Sequence, residues 1–378
     1  MEAVAHLAEC ILRPTNFSGR AMNDSFPSFT LRAAYVANQL PRFAWYAGHE
    51  MVFRQLAADA RRRSGKSARS RVQSSARPIH QSRVYADMLA LMRQDLANVE
   101  AGIYPLPRDH DGPLLTRLNR SWLFFDDLPE VHRRRERNGF RDARNEKTRD
   151  LRPDYYLQNF HFQSGGWMTD DSAERYDTQV EVLFKGTANA MRRQALPQLF
   201  EVFSGHDQRA LRLIDLGCGT GRFLDLVNQA WPRLSLLGLD LSEAYIRYAR
   251  RHLRRRSRLD LLVANAEAIP VPDNSAEAVT SIFMFHELPP LVRRVVLKEC
   301  ARVLKRGGRL IVLDSLQKGD EPAYDALLER FPQNYHEPYY RSYITEDFPT
   351  IAWQYGLKHQ RDVKAFVSKI MVFDKPID

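Results

Sequence analysis

The chain has 378 residues, of which 44% are hydrophobic and 11% aromatic. It is therefore long enough for two domains and apolar enough to form packed cores. No apolar run approaches the roughly 18 residues that a membrane span needs. Residues 1–12 lack the basic and apolar regions of a signal peptide, so we expect a cytoplasmic protein.

The three cysteines, Cys10, Cys218 and Cys300, lie far apart in the sequence. Their odd number and spacing argue against a disulfide framework. None lies in a CxxC pair or near a histidine at metal-ligand spacing. The sequence therefore predicts no metal site.

The net charge of +10 is concentrated in the first part of the chain, where residues 1–150 carry 25 Lys and Arg against 17 Asp and Glu. Two interpretations stay open. The excess forms a solvated arginine-rich surface, or it attracts an anionic partner, either nucleic acid or lipid headgroups.

Helical periodicity marks residues 31–60, with a break or kink expected at Pro41, and residues 84–101. Between them, residues 61–83 contain eight Lys and Arg and no acidic residue, which predicts a flexible segment. We therefore expect a basic, mainly helical N-terminal region, residues 1–153, and a second domain, residues 154–378.

The second part predicts an α/β fold. A helix is expected over 172–200, and short apolar runs then alternate with helical patterns, which is typical of a parallel sheet. The predicted strands are 211–215, 235–239, 260–263, 278–283, 309–313, 356–364 and 366–373. The predicted helices between them are 221–230, 243–253 and 291–305. The last two strands leave no room for a helix and should pair antiparallel.

A glycine-rich loop follows the first predicted strand in LRLIDLGCGTGRF, residues 211–223. Gly217, Gly219 and Gly221 allow a ligand to approach the backbone, at the sheet edge where open α/β folds bind ligands. A phosphate loop would need Gly-Lys-Ser/Thr, and a dinucleotide loop would need a glycine in place of Arg222. Asp215 at the strand end instead suits a cationic ligand, such as one with an ammonium group.

A second acidic residue, Asp240, ends the next predicted strand at the distance where a carboxylate accepts both ribose hydroxyls. Its alternative role is a helix N-cap shared with Ser242. Asn265, followed by Ala266 and Glu267, comes after the third strand. Its amide oxygen suits an adenine amino group, and the alternative is an ordinary turn residue.

With these motifs, residues 211–378 resemble class I S-adenosylmethionine-dependent methyltransferases. Within them the chain is similar to the branch of the ubiquinone/menaquinone C-methyltransferases and other small-molecule or lipid enzymes. The matching motifs are IDLGCGTG (214–221), GLDLSEAYIRYAR (238–250), NAEAIPVPDNSAEAV (265–279) and ECARVLKRGGRL (299–310). Two departures are Asn265 in place of the usual Asp and a long N-terminal extension.

The resemblance implies a Rossmann-like seven-stranded sheet of order 3-2-1-4-5-7-6, with S-adenosylmethionine bound over the glycine loop. It implies further that Asp240 and Leu241 contact the ribose side of the cofactor. In related enzymes the helix before the first strand covers the cofactor, and Arg192 is the residue that we expect to meet its carboxylate there. The alternative is an ordinary surface arginine.

Candidate catalytic and acceptor residues follow later strands. His286, after the fourth strand, is a candidate general base near neutral pH, with Glu287 as its orienting or acceptor-binding neighbour. The alternative is a packing or capping histidine. Asp314 ends the fifth strand. The loop after it holds a second candidate catalytic histidine, His336, and the candidate acceptor-binding residues Glu337, Tyr339 and Tyr340, unless that loop is only structural.

Three functions remain in view. The favoured one is methyl transfer from S-adenosylmethionine to a small-molecule or lipid acceptor by in-line displacement, with the N-terminal helices as a cap or as a contact with an anionic membrane surface. The second is methylation of RNA or another nucleic acid, which the basic first part favours. The third is a non-catalytic S-adenosylmethionine-binding regulatory or assembly protein.

Overall fold

A computed structural model describes residues 26–64, 79–109, 111–144 and 152–378. Most of the segment predicted to be flexible, residues 65–78 of 61–83, lies outside the described residues. Three helices form the first part: α1 (Phe26–Ser64), α2 (Gln81–Glu100) and α3 (Leu114–Arg137). None of the described helices is long and apolar enough to cross a membrane.

Helix α1 continues through Pro41, where a break or kink was expected. A proline inside a helix removes one backbone hydrogen bond. Tyr35 and Phe43, on either side of it, are both buried in the main hydrophobic core. Their burial offsets the lost hydrogen bond and holds one helix together across the proline.

The single helix predicted over 172–200 is in fact three helices: α4 (Asp170–Leu183), α5 (Ala188–Arg193) and α6 (Leu196–Phe203). Lys185 and Gly186 have positive φ angles of 55° and 82° and turn the chain after α4. The carboxylate of Glu181 then accepts hydrogen bonds from the backbone N–H groups of Ala188 and Asn189, each at 3.2 Å. This capping starts α5 in a new direction.

The seven strands form one sheet of order β3-β2-β1-β4-β5-β7-β6, which confirms the predicted order. Strands β1 to β5 pair in parallel, and β7 pairs antiparallel to both β5 and β6, as expected for the last two strands. The strands are β1 (Arg212–Leu216), β2 (Ser235–Asp240), β3 (Leu259–Val263), β4 (Ala276–Ile282), β5 (Leu304–Ser315), β6 (Lys358–Ala365) and β7 (Ser368–Asp374).

The remaining helices connect these strands. They are α7 (Arg222–Ala230), α8 (Glu243–His252), α9 (Pro290–Val303), α10 (Asp325–Asn334), α11 (Tyr340–Tyr343) and α12 (Phe348–Trp353). The central strand β1 is a near-continuous apolar run, with Leu213, Ile214 and Leu216 fully buried, as is typical of a covered parallel strand. Because β1, β2 and β4 are parallel, their carboxyl ends meet at one edge of the sheet.

Buried ion pairs join the N-terminal helices to the second part of the chain. Arg193 of α5 donates to both carboxylate oxygens of Asp95 of α2, at 2.7 and 2.8 Å, and to Asp109 at 2.8 Å. Arg42 of α1 is paired with Asp111 at 2.6 Å and with Glu181 at 2.9 Å. Arg42, Arg120 and Arg134 are therefore basic residues of the first part that lie inside the protein rather than on its surface.

Candidate active site

The glycine loop lies between the end of β1 and the start of α7, and its three glycines have positive φ angles of 65°, 55° and 80°. A Cβ atom on Gly217 would lie 2.8 Å from the sulfur of Met284, and one on Gly221 would lie 2.6 Å from Leu253. A Cβ atom on Gly219 would make only ordinary contacts, at 3.9 Å from the carbonyl oxygen of Gly217 and from the ring of Tyr245. The loop therefore requires glycine for conformation at all three positions and for close packing at two.

Asp240, at the end of β2, is fixed against this loop. Its Oδ2 accepts the N–H of Gly219 at 2.9 Å, and its Oδ1 accepts the N–H of Ser242 at 2.8 Å. Ser242 itself caps α8 by accepting the N–H of Tyr245. The N-cap residue of α8 is therefore Ser242, and Asp240 supports it by accepting its N–H. The carboxylate of Asp240, whose pKa is raised by burial, also lines a cavity.

The cavity opens along the glycine loop and the carboxyl ends of β2, β3 and β4, and we call it the cofactor cavity. Of the predicted cofactor residues, those that line it are Gly217, Gly219, Asp240, Leu241, Asn265 and Ala266. Glu267 does not line it: its Oε1 accepts the hydroxyl of Tyr155 at 2.7 Å and the amide of Asn265 at 3.0 Å. Gly221 does not line the cavity either, and its contribution is to the conformation of the loop.

Asn265 is both a turn residue and a residue that lines the cofactor cavity. Its Oδ1 accepts the N–H of Glu267 at 2.9 Å, which is the geometry of an Asx turn. The same residue lines the cofactor cavity. A carbonyl oxygen has two lone pairs, so the turn leaves one available for a ligand.

Asp215 and Arg192 line a narrow recess that continues the cavity beside Gly217 and Gly219. Asp215 accepts the hydroxyl of Thr280 at 2.7 Å. Burial, with a smaller contribution from the negative charge of Asp240, raises the pKa of Asp215 to about 7. The guanidinium of Arg192 donates to Asn189 at 2.7 Å and lies 5.8 Å over the ring of Phe283.

Aromatic side chains from the segment before α4 form the opposite wall of the cofactor cavity. They are Tyr155, Tyr156, Phe160 and Trp167, joined by Tyr176 of α4 and Tyr245 of α8. Phe160 stacks on Trp167 with ring centroids 5.9 Å apart, and the indole N–H donates to Glu287 at 2.9 Å. The sequence does concentrate aromatic residues between positions 155 and 167, which is a signal that could have indicated this wall.

A second, apolar cavity of about 450 Å³ lies next to the first. Its walls include Leu183, Leu328, Phe331 and Phe366, and Phe283 lines both cavities. Phe283 follows β4, has a positive φ of 58°, and stacks on Phe184 at 5.6 Å. This ring is the partition between the cofactor cavity and what we call the acceptor cavity.

His286 lines the acceptor cavity. Its Nδ1 lies 2.6 Å from Oδ1 of the fully buried Asp314. Burial lowers the pKa of His286, but the charge and hydrogen bond of Asp314 outweigh it and raise the pKa to about 10. The ring therefore carries a proton at neutral pH, which differs from the expected titration near pH 7 because Asp314 is its direct partner.

The candidate residues after β5 separate into different environments. Tyr340 lines the acceptor cavity and its hydroxyl lies 2.6 Å from that of Ser315. Glu337 is buried against His161. His336 stacks on Phe140 at 4.2 Å and pairs with Gln158 at 2.7 Å, and Tyr339 bonds the same glutamine at 3.1 Å. Neither His336 nor Tyr339 is among the residues that line the two cavities.

Comparisons with known proteins agree with this geometry. Residues 213–308 match the family model of a methyltransferase domain. A demethylmenaquinone methyltransferase from Thermotoga maritima is 33% identical over 147 residues, which cover 39% of this chain and 59% of that protein. A malonyl-[acyl-carrier protein] O-methyltransferase from Methylococcus capsulatus is 39% identical over 99 residues, 26% of this chain and 35% of that protein.

The chain thus spans 59% or less of the length of these two relatives. Among solved structures, a geranyl diphosphate C-methyltransferase from Streptomyces coelicolor is 17% identical with a TM-score of 0.38, covering 52% of this chain and 84% of that one. Residues 213–308 thus match a methyltransferase domain, and their motifs are similar to those of class I, S-adenosylmethionine-dependent methyltransferases.

Proposed function

We propose that this protein transfers a methyl group from S-adenosylmethionine, bound in the cofactor cavity, to a hydrophobic small-molecule or lipid acceptor in the acceptor cavity. The observation that carries the proposal is the shared wall at Phe283. An apolar cavity of several hundred cubic ångströms next to a nucleoside site suits a small apolar acceptor. The names of the similar proteins, which act on a menaquinone precursor or an acyl carrier, support this class.

Each of the cofactor-binding residues binds a different part of S-adenosylmethionine. Asp240 accepts the ribose hydroxyls, and Leu241, Asn265 and Ala266 contact the adenosine side. Asp215 faces the ammonium group and Arg192 the carboxylate of the methionine part. Glu267 is a positioning residue that holds Tyr155 over the cavity.

Methyl transfer is an in-line displacement: the acceptor–carbon bond forms as the sulfur–carbon bond breaks. S-adenosylhomocysteine is the leaving group, and the acceptor loses its proton to a base or to solvent. The protein mainly aligns the two reactants and excludes water. His286 supplies the polar group in the wall of the acceptor cavity, because its Nδ1 is held by Asp314 and only Nε2 is left for the acceptor.

The candidate residues after β5 differ in how directly they act on the acceptor. Tyr340 contributes to acceptor binding directly. His336 and Tyr339 are positioning residues, since both hold Gln158 in the segment that forms the aromatic wall. Helices α1, α2 and α3 act as a cap on the domain formed by residues 154–378.

The first test uses Asp314→Asn. Because this change removes the charged partner that orients His286, we expect kcat to fall about 100-fold, the size typical of a small misplacement of a group in an active site. The affinity for S-adenosylmethionine should stay within about twofold, since Asp314 does not line the cofactor cavity. Activity is measured as labelled methyl transfer to a hydrophobic metabolite extract, resolved by mass spectrometry.

Asp362→Asn is the matched control, because Asp362 forms the same carboxylate–imidazole contact with His359, at 2.7 Å, on β6. It should leave kcat unchanged. Equal losses of kcat in both variants, or full activity in Asp314→Asn, would remove His286 from the acceptor site.

A second test uses pH. The raised pKa of Asp215 means that the unliganded protein keeps a proton on this carboxyl below about pH 7. A cationic ligand favours the ionised form, so binding releases the proton. Affinity for S-adenosylhomocysteine should therefore rise with pH, by about tenfold between pH 6 and pH 8, and level off above.

Calorimetry at a series of pH values measures this dependence, and Asp215→Asn should flatten it. If the affinity of the unsubstituted protein is constant over that range, Asp215 does not face the ammonium group.

Nucleic acid is the less favoured acceptor, because three arginines of the first part are buried against other groups of the protein. Arg42, Arg120 and Arg134 are each at most 9% exposed. Binding to mixed RNA that is strong in low salt and lost steeply as salt rises would favour that alternative.

A membrane surface fits the first part better. The start of α3 exposes an apolar face: Leu115 is 80% and Trp122 61% exposed, and Leu114 and Leu118 lie beside them. An apolar face within a basic region is typical of contact with anionic lipid. We therefore also propose a peripheral membrane contact at this face, which suits capture of a lipid-soluble acceptor.

In sedimentation with vesicles that contain anionic phospholipid, Leu115→Glu combined with Trp122→Glu should reduce binding at least about fivefold, since each change places a charge where apolar contact is lost. Trp353→Glu is the control, because Trp353 is similarly exposed, 63%, on α12 of the second part. No binding by the unsubstituted chain would reject this contact.

A further inference from the structure

Three side chains from separate segments meet at the boundary of the aromatic wall. They are His161, in the short 3-10 turn before α4, Glu287, after β4, and Glu337, before α11. One nitrogen or oxygen from each lies within 4.8 Å of the other two. Because these residues lie far apart in sequence, the spacing of possible ligands along the chain did not predict a metal site.

Two of the three are buried without hydrogen-bond partners. Glu337 is 2% and His161 8% exposed. Among the described residues, no hydrogen bond satisfies either carboxylate oxygen of Glu337 or Nε2 of His161. Buried polar atoms are satisfied in the great majority of cases, so three orphaned atoms in one place point to a missing ligand.

His161 and Glu337 are in direct contact. Nε2 of His161 lies 2.5 Å from Oε1 of Glu337, but the geometry is not that of a hydrogen bond. A cation bound by both atoms, with bond lengths of about 2.1 Å, would separate them to about 3 Å.

The carboxyl groups around the site also favour a bound cation. His286 lies between the carboxyls of Asp314, at 2.6 Å, and Glu287, at 3.9 Å, and Glu337 acts on the same ring. Three carboxyl groups, two of them buried, thus surround two imidazoles, and a bound cation would offset the repulsion between neighbouring carboxylates. Buried charges are normally paired or coordinate metals.

The backbone holds His161 in place at some cost. His161 and Phe162 have consecutive positive φ angles of 54° and 58°. Such conformations are strained for residues with side chains and cluster at functional sites. The N–H of His161 donates to the carbonyl of His336 at 3.2 Å, which ties its turn to the segment that carries Glu337.

We propose that His161, Glu287 and Glu337 bind one divalent transition-metal cation at the wall of the cofactor cavity. One imidazole and two carboxylates suit Zn²⁺ and the neighbouring first-row ions such as Co²⁺ and Mn²⁺. The indole of Trp167 donates to Oε2 of Glu287 and so orients this ligand, as partners of metal ligands commonly do. Three protein ligands leave positions open for water or an acceptor oxygen.

The test uses the full chain, stripped with a chelator and titrated with Co²⁺ in visible absorption and with Zn²⁺ in calorimetry. We expect one ion per chain, with Co²⁺ ligand-field bands. His161→Gln and Glu337→Gln should each weaken binding at least about 100-fold, since each removes one of three ligands. His359→Gln is the control, because His359 pairs with a carboxylate elsewhere, on β6.

Stoichiometric binding that both ligand variants lose and the control keeps would support the site. Absence of ligand-field bands and of Zn²⁺ heat in the unsubstituted protein would overturn it, whatever the variants do. Binding unchanged in Glu337→Gln would overturn it too. Glu287→Gln provides an independent ligand variant if one of the others fails to melt cooperatively. None of these readouts uses methyl transfer, so the metal site and the proposed function fail separately.

Discussion

Asp240→Ala is expected to weaken the binding of S-adenosylmethionine about 100-fold. The carboxylate accepts the N–H groups of Gly219 and Ser242 and presents its remaining lone pairs to the cavity. A hydrogen bond to a charged group contributes about 1.5–3 kcal/mol, and 100-fold corresponds to about 2.7 kcal/mol. One strong ribose contact is therefore enough for the predicted loss, which equilibrium calorimetry measures directly.

Asp260→Ala is the matched control, because Asp260 is an exposed carboxylate on the neighbouring strand β3. It should leave the affinity unchanged. The same melting temperature for both variants would show that the loss comes from the ligand contact rather than from a loosened glycine loop. An Asp240→Ala protein that binds within about threefold of the unsubstituted chain would contradict the ribose assignment.

Arg193→Met should lower the free energy of unfolding by about 3–5 kcal/mol, the cost typical of removing one partner from a buried ion pair. Arg193 is 1% exposed and donates to Asp95 and Asp109, two buried carboxylates from the N-terminal part. Without the guanidinium, Asp95 stays buried with neutral partners such as Tyr35, and Asp109 keeps the amide of Gln39 and the more distant Arg42, at 3.7 Å. Urea unfolding followed by circular dichroism measures the change.

The control is Arg209→Met, which removes an exposed pair with Asp207 and should cost less than about 1 kcal/mol. Similar small losses in both variants would mean that the N-terminal helices are not held to the second part by this network. A separate early transition in Arg193→Met, with the sheet still folded, would show that the helices detach first.

The sheet could be predicted from sequence because its strands are short apolar runs bounded by turn residues. Strand β2 begins at Ser235 as expected and ends one residue later than predicted. The helix before the sheet could not be predicted correctly, because its division depends on Glu181 capping α5 and on the left-handed Gly186. Continuation of α1 through Pro41 likewise depends on tertiary burial, which periodicity does not report.

The cofactor side of the site could be predicted because its residues follow strand ends at fixed spacing. The acceptor side depends on contacts between distant segments. The pKa of His286 is set by Asp314 of β5, and the wall over the cavity comes from Tyr155 and Trp167, far upstream. Nothing in the sequence indicated that His161 could bind a metal, since Glu287 and Glu337, the two carboxylates beside it, come from much later in the chain.

The central claim is that the backbone from Gly217 to Gly221, together with Asp240, binds a sulfonium nucleoside. The most direct measurement is a calorimetric titration of the full chain with S-adenosylmethionine and with S-adenosylhomocysteine. We predict saturable binding of both ligands at one shared site per chain. A cooperatively folded protein that shows neither heat nor saturation with either ligand would contradict the claim.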